Sequence, residues 1–150
     1  MINQTATAKW FGSLKDGKGE ISTESGALNK VPYTFGTRFG STPGTNPEEL
    51  IAAAHAACFS MALSVELQKI NFIADSIKVQ AYATLENTAK DGWKITRINL
   101  DTEAVALGCS QEQFEAAANT AKINCPVSQA LKTDIVLSAR LITLPMEVFF

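Results

Sequence analysis

The chain has 150 residues, 46% of them hydrophobic and 19% charged, and its 13 lysines and arginines against 15 acids leave a formal net charge of −2. That length and composition suit a single globular domain, residues 1–150, able to bury a sizeable core. Basic residues are scattered with no basic run, which argues against nucleic acid or a membrane as partner and for a small neutral substrate.

The N-terminal stretch MINQTATAKW lacks a charged region followed by an apolar one, so a cytoplasmic location is the expectation. Three cysteines without CxxC or Cys/His spacing make neither a disulfide framework nor a zinc site. In a reducing compartment they are core residues or reactive thiols.

Taken in order, Thr5 to Leu14 alternates loosely, Asp16-Gly17 signals a turn, and Gly19 to Thr23 reads as a returning strand. After a second turn at Glu24-Ser25-Gly26, Val31 to Phe39 (VPYTFGTRF) reads as a strand with Tyr33, Phe35, Thr37 and Phe39 on one face and Arg38 on the other. A Gly/Pro/Ser/Thr loop, Gly40 to Thr45, leads into an apolar helix from Asn46 to Leu67, NPEELIAAAHAACFSMALSVEL. Asn46 is its N-cap, Pro47 suits the first helical position, and Glu49 sits where a capping-box acid reaches back. The helix lacks a broad polar face, which predicts burial on all sides. Glu48, Glu49 and Glu66 bracket an apolar run of about 15 residues, short of a bilayer span.

Ser76 to Leu85 alternates as a half-buried strand, Lys90-Asp91-Gly92 turns the chain, and Trp93 to Val105 returns with a change of parity that predicts a bulge near Thr96. Ser110 with Gln113 opens a second helix through Phe114, Ala117, Ala118 and Ala121, ending near Asn124. Cys125 then N-caps a short helix from Pro126 to Leu131, and Ile135 to Leu144 closes as a strand. The apolar tail, residues 143–150, is unplaced. The strand count and two principal helices give an α+β fold.

Cys58 lies in the middle of the apolar helix, where burial ordinarily raises a thiol's pKa and leaves it inert. His55, three residues earlier on the same face, is the one local candidate to change that, although such pairs are commonly core packing. Cys125 differs, because an N-cap cysteine faces free amides and the positive end of a helix, both of which favour thiolate. Cys109, beside Gly108 in a loop, carries no sign of activation.

The ordered set NPEEL, AAHAACFSMAL, a preceding TRF and a later CPVSQAL strongly resembles the OsmC/Ohr family of organic hydroperoxide reductases, closer to its OsmC (osmotically inducible protein C) branch. The resemblance runs from KWFGSLKDGKGEISTESG to about Ile142. It implies an OsmC-like fold, with antiparallel β-sheets around two central helices in an intertwined homodimer. It also implies that Cys58 is the peroxidatic cysteine, Cys125 the resolving cysteine, Arg38 the cation that stabilises the thiolate and the peroxide, and Glu48 the carboxylate that orients Arg38. The implied reaction makes a Cys58 sulfenic acid and then a Cys58–Cys125 disulfide, which an external dithiol, of lipoyl type in the family, reduces. No metal, flavin or haem is implied.

Helix geometry adds one expectation. Glu48 and Cys58 are ten residues apart, a rise of roughly 15 Å, so both cannot surround one substrate within a chain. Arg38 and Glu48 are therefore expected to meet Cys58 across a twofold interface, giving shared active sites. A non-catalytic redox sensor or binding protein would use the same cysteines without turnover, and a cysteine hydrolase would need Cys58, His55 and an oxyanion hole.

Overall fold

The computed structural model describes residues 1–143; the apolar tail from residue 144 on, and with it the end of the last expected strand at Leu144, lies outside them. The chain divides into two compact units, Met1–Leu50 and the residues from Ile51 onward. Elements run β1 (Ala6–Phe11), β2 (Lys18–Thr23), β3 (Val31–Tyr33), α1 (Phe35–Phe39), α2 (Pro47–Lys69), β4 (Ser76–Thr88), β5 (Gly92–Val105), α3 (Gln111–Asn124), α4 (Pro126–Ala130) and β6 (Asp134–Leu141).

In the first unit β1, β2 and β3 form an antiparallel sheet in that order, with Trp10 opposite Gly19 and Gly19 opposite Tyr33. Gly19 is required here, because a Cβ would come within 2.4 Å of the Tyr33 ring and 2.8 Å of the Trp10 ring. The long strand expected from Val31 to Phe39 is corrected. It ends at Tyr33, and Thr34 N-caps the five-residue helix α1 through a reciprocal capping box with Thr37. Two threonines three apart satisfy the first amides of a helix and outweigh the β-preference of the flanking aromatics. This unit has little core of its own. Gly19 and Glu48 are its only buried residues, and all six positions of β1 are exposed in the single chain.

Asn46 caps α2 as expected, accepting from the Glu49 amide at 2.8 Å. The Glu49 carboxylate, expected to reach back to the cap residue, accepts the Thr45 hydroxyl at 2.8 Å instead. Asn71, in the left-handed region at φ 65°, ends the helix, and the Phe72 amide bonds back to the Leu67 carbonyl at 3.0 Å. At 23 residues α2 is long and apolar enough to cross a membrane by length and composition, longer than the run its flanking acids suggested. Burial on all sides is also corrected: His55, Phe59, Leu63 and Leu67 form a buried stripe, whereas Ala53, Ala54, Ala57, Met61 and Val65 are exposed.

The second sheet has the order β4-β5-β6. β4 and β5 pair antiparallel, with the register shift that leaves Thr96 as the extra residue of the expected bulge. β6 joins β5 in parallel, so this sheet is mixed where antiparallel pairing alone was expected. The cause is the connection, since α3 and α4 carry the chain back over the sheet as a parallel crossover requires. Ile98, Leu100 and Ala104 of the central strand meet Phe59, Leu63 and Leu67 of α2, and Phe114, Ala117, Ala118 and Ala121 of α3, in one core. Cys125 is buried in it, with Cys58 packed against it.

Candidate functional site

The four residues singled out in the sequence fall into two pairs, one in each unit. Arg38 lies in the last turn of α1, and Glu48, 7% exposed, in the first turn of α2. The guanidinium grips the carboxylate through Nη2 at 2.7 Å and through Nε at 3.2 Å to both oxygens. Such a forked, charge-assisted contact fixes the plane of the arginine as well as its position. Asn46 ties the two helices together, because its Nδ2 donates to the Thr37 carbonyl at 3.1 Å while its Oδ1 caps α2. The Arg38 side chain also lies over the Phe39 ring, 5.0 Å from its centroid.

Beside this pair is a cleft of about 240 Å³, lined by Trp10, Leu14, Tyr33, Thr34, Phe35, Arg38, Phe39 and Pro47. The Trp10 and Tyr33 rings, 5.4 Å apart, wall one side of it. An apolar slot with one fixed cation suits a molecule with a hydrocarbon body and a polar head.

The second pair is Cys58 on α2 and Cys125 at the junction of α3 and α4. Both are free thiols in the same core, and each shifts the other's pKa. Cys125 holds its place through its amide to the Ala121 carbonyl at 2.8 Å and its carbonyl to the Gln129 amide at 3.0 Å, with Pro126 next in line. It makes no regular side-chain cap bond, yet its surroundings favour the thiolate. Burial alone would raise its pKa; the Ser128 amide, the Cys58 thiol, the Ser128 hydroxyl and the Val127 amide together bring it below the ordinary value. Cys58 goes the other way. Burial pushes it up, the Val127 amide opposes that, and Cys125 adds to the rise. Within one chain, then, the two thiols are shifted in opposite directions, Cys58 up and Cys125 down.

His55 is fully buried, and its Nε2 is 2.8 Å from the Ser128 hydroxyl. Burial lowers its pKa, so the ring is neutral. Cys109 is half-buried in its loop, with its pKa raised by burial. Sequence reasoning missed Ser128, although its place three residues after an N-cap Cys125 was legible. It also missed the Thr34–Thr37 box that sets Arg38. Among the described residues no cluster of three or more potential metal ligands occurs.

Residues 39–140 match the family model for OsmC-like protein, and the chain belongs to that family. Arg38 lies immediately before the matched segment, which includes Glu48, Cys58 and Cys125. Among its relatives is the peroxiredoxin OsmC of Escherichia coli K12, 48% identical over 140 residues that cover 93% of this chain and 97% of the relative. The organic hydroperoxide resistance protein OhrB of Bacillus subtilis is 30% identical over 118 residues, covering 78% of this chain and 84% of that one. The fold matches an OsmC-like protein of unknown function from Vibrio cholerae with a TM-score of 0.74 at 20% identity, covering 93% and 100% of the two chains. It matches the B. subtilis OhrB crystal structure with a TM-score of 0.67 at 25% identity, covering 92% and 98%.

Proposed function

We propose that this chain reduces organic hydroperoxides to alcohols, with Cys58 as the attacking thiolate and Cys125 as the thiol that resolves it. That it is an enzyme of the peroxidase type, an oxidoreductase, is supported by its 48% identity to a peroxiredoxin and by its relation to organic hydroperoxide resistance proteins. The observation that carries the residue assignment is that the two free thiols share one core, Cys58 packed against the cluster that buries Cys125, each shifting the other's pKa.

The Cys58 thiolate attacks the outer hydroperoxide oxygen; the O–O bond breaks, an alkoxide leaves and takes a proton to become the alcohol, and Cys58 becomes a sulfenic acid. Cys125 then attacks that sulfur, the S–S bond forms and the S–O bond breaks, releasing water. An external dithiol, of lipoyl type in this reading, returns both thiols. A dithiol-driven cycle fits the cytoplasm, where thiols stay reduced.

Attack requires a Cys58 thiolate, which burial disfavours, and a cation beside Cys58 offsets that. Arg38, held planar by Glu48, is that cation in our reading. Glu48 and Cys58 are ten residues apart on the continuous helix α2, a rise of roughly 15 Å, so the arginine comes from a second copy of the chain in a homodimer with shared active sites. The exposed Met61 and Val65 of α2, and the coreless first unit, favour an intertwined partner that covers them. The aromatic cleft beside Arg38 would hold the alkyl or aryl body of the substrate, each apolar Å² buried there contributing about 25 cal/mol. This favours organic over hydrogen peroxide.

Mass spectrometry after one equivalent of an organic hydroperoxide tests the assignment. The expected product is a Cys58–Cys125 disulfide, and Cys125→Ser should leave a trappable sulfenic acid on Cys58. A bond to Cys109, or oxidation without turnover when a dithiol is supplied, would sink it and favour a sensor.

A further inference from the structure

His55 is buried and lies outside the reaction as written, yet it is joined to it. Its Nε2 is 2.8 Å from Oγ of the buried Ser128, and Ser128 lies in the first turn of α4, directly above its N-cap, the buried Cys125, whose pKa the Ser128 hydroxyl helps to lower. The direction of these bonds follows from the other ring nitrogen. Nδ1 is buried with no hydrogen-bond partner among the described residues. A bare lone pair there is less costly than a buried N–H with no acceptor, so the ring proton belongs on Nε2. Nε2–H then donates to Ser128 Oγ, which leaves the hydroxyl proton of Ser128 free to donate to Cys125.

We propose that His55 and Ser128 are positioning residues that form a one-way donor chain, Nε2–H to Oγ–H to Sγ, and hold Cys125 as the attacking thiolate of disulfide formation. The inference rests on the peroxidase reading above. In it His55 is a fixed neutral donor and never takes a proton. The Cys125 thiolate takes the Cys58 proton and so frees Cys58 to attack; the resulting Cys125 thiol gives that proton to the departing alkoxide and is left as the thiolate that the donor chain stabilises. That thiolate attacks the Cys58 sulfenic sulfur, the hydroxide leaves, and solvent supplies the proton that completes water. No oxidant beyond the hydroperoxide is needed.

The test is rapid-quench kinetics on the full chain with one equivalent of cumene hydroperoxide, following sulfenic acid with a dimedone probe and disulfide by mass. Ser128→Ala should lengthen the life of the Cys58 sulfenic acid roughly tenfold, the effect of one hydrogen bond to a charged group. His55→Leu should do the same, and His55→Gln, whose amide N–H reaches the Nε2 position, should restore the rate to within about twofold. In a background with Cys58→Ser and Cys109→Ser, Ser128→Ala should raise the Cys125 thiolate titration by about one pH unit, a readout that needs no peroxide and that mere packing would not move. Resolution at the unaltered rate in Ser128→Ala, or His55→Gln as slow as His55→Leu, overturns the donor chain. If His55→Leu does not fold, Ser128→Ala and His55→Gln still decide. Absence of any Cys58 sulfenic acid in the Cys125→Ser protein would instead overturn the peroxidase reading.

Discussion

The two thiols and the two polar side chains beside them, Ser128 and His55, have unequal visibility in the sequence. Cys58 and Cys125 announce themselves as an odd cysteine set, with one at a helix junction before proline. Ser128 does not, since a serine in a helix's first turn is unremarkable until its partner 73 residues away is known. His55 could be seen at three residues from Cys58, but its bond runs to Ser128. Its burial has a measurable cost. The folded ring resists protonation while the unfolded one titrates near its ordinary 6.5, so below about that pH the unfolded chain binds the extra proton. The stability contribution of neutral His55 is therefore present above that pH and lost as pH falls. Denaturant midpoints should drop between about pH 8 and about pH 5.5, and His55→Gln should show a smaller drop.

At the scale of elements, short helices and uniform apolar runs were the hard parts. α1 has five residues, too few for a hydrophobic period to show, and its aromatics argued for a strand; its one signal was the Thr34–Thr37 spacing. That capping box sets the backbone from which Arg38 projects. Thr34→Ala should cost about 1 kcal/mol locally, seen as faster amide exchange in α1, and should lower peroxidase activity through a misplaced Arg38. Thr34→Ser should retain both. α2 presented the opposite difficulty. With alanine on nearly every side, its sequence could not separate the stripe buried by its own chain, His55, Phe59, Leu63 and Leu67, from the face left exposed. The hairpin of β4 and β5, by contrast, was legible down to its bulge at Thr96, because alternation and a turn signal are local. The parallel pairing of β6 is set by a crossover of whole elements, which alternation within a strand cannot report.

For the whole molecule, the decisive question is which copy of Arg38 serves which Cys58. Complementation answers it. Arg38→Met and Cys58→Ser are each expected to be inactive alone; mixed after reversible unfolding, they should recover about a quarter of normal activity, because about half the dimers are hybrid and each has one intact site of two. Sites contained within single chains would recover none. The sequence resemblance and the helix rise pointed to a shared site. Which surfaces do the covering was not legible there, and the exposed β1 and the open face of α2 supply the candidates.

The parallel strand β6 also imposes an order on folding. β4 and β5 are joined by a tight turn and can pair as soon as both exist, whereas β6 must wait for the chain to travel through α3 and α4 before Asp134 to Leu141 can dock beside Arg97 to Ala104. Cys125 lies within that crossover, at the junction of α3 and α4, so its thiol comes to rest in the core beside Cys58 only as the crossover settles. Premature oxidation during synthesis would then have to find the wrong partner, and the wrong partner nearest in sequence to Cys125 is Cys109.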